Sequence, residues 1–215
     1  MILYWVLLLL IAFVAYTLGS LNTKLLASQL LFRRNLLRLG KGSRFLFNFK
    51  RIFGIKGMIQ YALLELAKCL LPLLLGGLLL SIRDHALVGR AFAGFCLVMG
   101  NLFPVFNRFR GNMGAVALVM TALCVDFSVG IAAAAVMAAV AWFSRYLSLS
   151  VMAGALFSIL LSLLVLDDRL AILLMAFSAG LVLLRQFPAI SRLLNHTEEK
   201  FVLEEDISYK FDEKM

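Results

Sequence analysis

Charge is scarce in this chain. Of its 215 residues only 15% are Asp, Glu, Lys or Arg, while 63% are hydrophobic. A soluble domain carries nearer a quarter charged and about half apolar, and a disordered chain departs in the opposite direction, so both classes are excluded. Cysteine is equally sparse: Cys69, Cys96 and Cys124 are the three present, an odd number with no metal-ligand spacing, all inside apolar runs, where they read as small apolar fillers. No Lys or Arg precedes the first apolar run and Lys24 follows it, so the basic leader of a signal peptide is missing and a retained first helix is expected. Acidic residues are absent altogether from Ser20 to Gly57, where Lys24, Arg33, Arg34, Arg38, Lys41, Arg44, Lys50, Arg51 and Lys56 stand.

What is present is long apolar runs, with a mean hydropathy of +0.97. They fall at roughly 3–19, 58–81, 86–106, 113–127, 129–144, 147–166 and 170–185. A crossing needs ~20 mostly apolar residues, which makes this an all-α integral membrane protein of about seven transmembrane helices in one bundle. Residues 1–194 form the membrane domain, with 20–57 a basic loop, and 195–215 a polar acidic tail expected to be solvated. The runs at 113–127 and 129–144 are short for a crossing and are expected to be tilted, re-entrant or packed inside the bundle.

The net charge of +9 has an address. Arg108 and Arg110, Arg145 and Arg185 alternate with acidic or balanced breaks at 83–85, 126–128 and 167–169. By the positive-inside rule the N-terminus lies outside and the C-terminus in the cytoplasm, with the basic loop against anionic headgroups of the inner leaflet. Membrane lipids are thus the expected partners; the loop contains no nucleic-acid-binding module.

Within the spans, Glu65 and Lys68 stand three apart and share a helical face, where they neutralise each other or serve a substrate. Arg90 is expected to reach back to the interface. The break Gly100–Gly114 joins a helix-ending Pro104, two Arg and closely spaced glycines just before a helix. Such backbone approaches an anion closely and offers it unpaired N–H groups, which makes a phosphate seat; ordinary positive-inside anchoring accounts for the same charges equally well.

Gly100–Gly114 resembles the Gly-His-x-Phe-Pro-Val-Phe-x-x-Phe-Lys-Gly-Gly-Lys-Gly signature of the bacterial acyl-phosphate:glycerol-3-phosphate acyltransferases. Gly19-Ser20, the glycine-bearing stretch Gly40 to Gly54, Glu65-x-x-Lys68, Arg145-Tyr146-x-Ser148-Leu149 and the segment from Arg185 through Arg192 to Phe201 are similar to further family motifs in the same order. The resemblance implies a bacterial inner-membrane protein that brings acyl phosphate and glycerol 3-phosphate together at the cytoplasmic side and passes the acyl group to a hydroxyl, with no metal or organic cofactor. It implies catalytic roles for Asn48, Arg51 and Arg185 if the chain is active. It implies substrate or phosphate binding by Lys41, Arg51, Lys68, Asn101, Arg110, Gly111, Gly114, Arg145, Ser148 and Arg192.

The departures are chemical. The signature His is Asn101 and its phosphate-binding Lys is Met113; in the closing segment the His is Gln186 and the Asn is Ala189. Phe45 and Phe47 replace small residues of the glycine loop. Met113 and Ala189 carry neither charge nor a side-chain donor. Acyl transfer by the family route is therefore expected to be very slow or absent, leaving a lipid- or phosphate-binding subunit of a membrane complex with a membrane protein as partner. The alternative is an active acyltransferase using glycerol 3-phosphate or another hydroxyl acceptor. A transporter is disfavoured, since the sequence shows no internal repeat.

Overall fold

The computed structural model describes residues 2–27, 42–107, 109 and 111–195. Lys41, Arg108, Arg110 and the tail from 196 onward lie outside the described residues, as do the side chains of residues 42–48, Asn48 among them. The described chain is helical: α1 (Ile2–Ser20), α2 (Thr23–Ala27), α3 (Gly42–Ser81), α4 (Ala86–Leu102), α5 (Ala115–Val125), α6 (Phe127–Ser144), α7 (Leu147–Val165) and α8 (Arg169–Leu194), with a 3-10 turn at Val105–Asn107. Helices 3, 6, 7 and 8, and the stretch Ala86–Asn107 that joins α4 to the turn after it, are long and apolar enough to cross a membrane, and α1 and α5 are shorter apolar helices. The protein is an all-α integral membrane bundle.

In lipid every backbone group must find its partner within the segment, which selects helices. Large side chains such as Trp5, Leu9, Phe13, Leu78 and Leu164 point outward, and small residues fill the seams. At the α3–α4 crossing a Cβ on Gly76 would stand 2.5 Å from the Gly89 carbonyl oxygen; at the α1–α4 crossing a Cβ on Gly100 would stand 2.3 Å from that of Tyr16. Close backbone approach of this kind is how membrane helices gain dispersion contacts without a hydrophobic drive between them. Helix α4 packs against α1, α3, α5 and α8 and forms the centre of the bundle.

The structure revises one of these expectations and sharpens two. The run at 129–144 is not short: Asp126 accepts from the amides of Ser128 and Val129 at 2.8 and 3.1 Å, so the cap starts α6 at Phe127 and yields 18 residues, about 27 Å at 1.5 Å per residue. The run at 113–127 does fall short, because α5 has only 11 residues, about 16 Å against ~30 Å of hydrocarbon. Ala117, Leu118, Thr121 and Ala122 bury it inside the bundle. Arg90, near the start of α4, has its partner at the same end of the bundle: its Nη1 donates to the Cys124 carbonyl at 3.2 Å. Its stem lies over Gly77, where a Cβ would come within 2.8 Å of it. The guanidinium thus caps α5 where its carbonyls run out.

One end of the bundle gathers the C-terminus of α1, the end of α4 with the loop to α5, the α6–α7 break at Arg145 and the C-terminal turns of α8. It is the basic end.

Candidate functional site

A small open cleft lies at this end, lined by Gly19, Ser20, Leu21, Asn22, Asn101, Pro104, Asn107, Gly111 and Asn112. Its walls are the last turn of α1 with the bend to α2, the last turn of α4, and the loop that follows α4. The Tyr16 hydroxyl donates to the Phe103 carbonyl at 2.9 Å. The amides of Asn107 and Phe109 both donate to Pro104 O, at 3.2 and 2.9 Å, and the amide of Asn112 donates to Asn101 O at 3.1 Å. The loop thereby folds back along the end of α4. Only glycine fits at 111, where a Cβ would lie 2.2 Å from the carbonyl oxygen of Asn101 and 2.3 Å from that of Leu102. Gly114, at φ 76°, then turns the chain into α5, a left-handed conformation that glycine adopts without steric cost.

Behind the α1–α2 wall lies a buried polar group. Lys68 Nζ donates to the Leu21 carbonyl at 3.2 Å and stands 3.4 Å from Glu65 Oε1, so the two residues form the intrahelical pair their spacing implied. Among the described residues, Ser20 Oγ, Thr23 Oγ1, Glu65 Oε2 and Gln186 Nε2 are buried without a hydrogen-bond partner. Ser20 lines the cleft, Thr23 follows within one helical turn, and Glu65 is tied to the same segment through Lys68. Buried donors and acceptors left open in this way are costly unless something completes them.

The cleft thus assembles Asn101 and Gly111 from the sequence-derived set, beside the Gly19-Ser20 pair. Lys68 stands behind its wall and Gly114 beyond its rim, against Leu102 and Val182. Arg51, Arg145, Arg185 and Arg192 are exposed on the surface and Ser148 is buried at the start of α7; none of them lines the cleft. Reading by charge missed Asn22, Asn107 and Asn112, together with Tyr16, which pins the loop. The polar side chains of the lining are carboxamides and a hydroxyl, groups that both donate and accept. Asn22 already fixes the start of α2, its Oδ1 accepting from Lys24 N at 3.0 Å. On α8, Val182 faces Gly114, which places Gln186 one turn nearer the basic end on the same face, and Ala189 is 1% exposed.

The sequence profile of the family described as glycerol-3-phosphate acyltransferase matches residues 9–196. Among curated proteins, the glycerol-3-phosphate acyltransferase of Bacillus cytotoxicus is 29% identical over 191 residues, covering 89% of this chain and 93% of that one. That of Thermoanaerobacter pseudethanolicus is 26% identical over 88% of this chain and 93% of its own. The crystal structure of PlsY, an integral membrane glycerol 3-phosphate acyltransferase, in its glycerol 3-phosphate form superposes with a TM-score of 0.74 at 23% identity, covering 91% of this chain and 96% of that one. That likeness concerns the fold.

Proposed function

Because the chain belongs to the glycerol-3-phosphate acyltransferase family, we propose that it is a divergent member impaired in acyl transfer, which holds a phosphate-bearing lipid or an anionic headgroup at the basic end as a subunit of a membrane complex. The observation that carries this reading is the chemistry of four positions in an intact scaffold. Met113, Asn101, Gln186 and Ala189 stand where the family motifs have Lys, His, His and Asn. Transfer from acyl phosphate requires a hydroxyl oxygen to attack the acyl carbonyl, the acyl–phosphate bond to break, inorganic phosphate to leave and the hydroxyl proton to be taken up. Cations stabilise the departing phosphate, and removal of one preorganised donor of such a site costs ~10²–10³ in rate.

The experiment supplies acyl phosphate and glycerol 3-phosphate to the purified protein in lipid nanodiscs. Turnover at least about 10²-fold below that of the Bacillus cytotoxicus relative, raised by Met113→Lys, is the expected result. Turnover equal to the relative's overturns the reading.

The unpartnered Ser20, Thr23 and Glu65 groups beside the cleft favour a second reading, in which the chain acylates glycerol 3-phosphate or another hydroxyl acceptor. Turnover with an alternative polyol or sugar acceptor in the same assay, lost in Ser20→Ala and Asn112→Ala, decides for it.

A further inference from the structure

The turn beside the cleft exposes apolar side chains that the cleft does not use. Val105, Phe106 and Phe109 are 52%, 66% and 59% exposed, while Pro104 and Asn107 between them line the polar cleft. We propose that this tip is a wedge inserted into the anionic phospholipid leaflet at the basic end, seating the rim of the cleft at the depth of the headgroups.

Four observations carry the proposal. The first is depth. Helix α4 has 17 residues, about 25 Å, which is less than the ~30 Å of a hydrocarbon core. A tip that begins immediately past its end therefore stays at the acyl–headgroup boundary and does not stand clear in water. The second is a marker of that boundary. Trp142 and Phe143, 76% and 85% exposed, end α6 at the same end of the bundle, and aromatic side chains collect at membrane interfaces.

The third is rigidity. Both ends of the turn are tied down, by the Tyr16 hydroxyl at Phe103 and by the Asn112 amide at Asn101, and its middle by two bonds to Pro104 O. Phe109 adopts φ 59°, an outlier for a bulky side chain, and conformations of this kind persist where surrounding contacts impose them. A fixed turn that holds large apolar groups outward is built to be covered. The fourth is charge: Arg108 and Arg110 flank Phe109 in the sequence, and basic residues between apolar ones suit a surface of anionic headgroups.

The seating is independent of whether the cleft turns substrate over. Its consequence is lateral access, in which a ligand whose acyl chain remains in the leaflet reaches Asn101 and Asn112 without crossing water.

The test places a nitroxide label at Phe106→Cys and at Phe109→Cys in the full chain, in nanodiscs of phosphatidylethanolamine and phosphatidylglycerol. Asp167→Cys, exposed at the opposite end of the bundle, serves as the water-facing reference, and the unsubstituted protein gives the background from Cys69, Cys96 and Cys124. The ratio of collisions with oxygen to collisions with a water-soluble nickel chelate is expected to be several-fold higher at 106 and 109 than at 167. Equal ratios overturn the proposal. If a substitution at either Phe alters the size-exclusion profile, the same ratio at Val105→Cys decides, since Val105 is the smallest of the three and its amide makes neither bond to Pro104 O.

Discussion

Lys68 has three N–H donors and two visible acceptors, the Leu21 carbonyl and the Glu65 carboxylate. Both members of the pair are buried, so their value lies in mutual neutralisation. Lys68→Met strands a carboxylate and is expected to lower stability by about 3–5 kcal/mol, whereas Glu65→Leu combined with Lys68→Met removes both charges and recovers most of the loss. Thermal unfolding of the single and double variants in detergent measures the difference. Asp126 is the simpler case, because it lies at the break between two helices. Its carboxyl is held below the ordinary carboxylate range, first by the Ser128 hydroxyl and then by the Val129 amide. A lowered folded-state value means that the cap is fully formed above the unfolded value, near pH 4, and is lost as pH falls through the lower folded one. Asp126→Ala is therefore expected to cost about 1 kcal/mol at neutral pH, and the cost disappears in strong acid, where the wild-type carboxyl is protonated too.

Among the elements, the helix seams depend on the absence of a side chain. A Cβ at Gly19 would sit 2.4 Å from the Leu97 carbonyl oxygen, whereas one at Gly180 would meet nothing within 4 Å. Gly19→Ala must push α1 from α4 and open the cleft wall; it is expected to lower the melting temperature by several degrees, while Gly180→Ala leaves it unchanged. Gly54 separates strain from space. Nothing lies within 4 Å of its would-be Cβ, yet its φ of 65° and ψ of −169° belong to a region nearly exclusive to glycine. Gly54→Ala is expected to cost about 1–3 kcal/mol through backbone strain alone, read in the same thermal series. This glycine kinks α3 between the exposed Lys50 and Arg51 on one side and the exposed Lys56 on the other.

At the scale of the whole molecule, the apolar runs were legible because lipid imposes one rule on every crossing. The run read at 147–166 is the helix Leu147–Val165. Boundaries failed where hydropathy is not what ends a helix. Helix α6 starts at Phe127, two residues before the expected 129, because Asp126 caps it; α8 continues from the expected 185 to Leu194, since a helix leaving the bilayer needs backbone bonds and no longer needs apolar side chains. The candidate site was legible in part. Glycines 19, 111 and 114 and the buried pair followed from pattern and resemblance, but charge drew attention to Arg51, Arg145, Arg185 and Arg192, which the fold leaves outside the cleft.

The sequence by itself determined a helical membrane bundle, its basic side and its family, because hydropathy, charge placement and motif order are properties of the chain. Only the tertiary structure decided that α5 stops short inside the bundle, that Arg90 caps its last turn, and that the polar lining of the cleft is mostly carboxamides. Those outcomes depend on which backbones approach closely enough to exclude a Cβ and on which carbonyls are left without partners, and residues far apart in the chain settle both together.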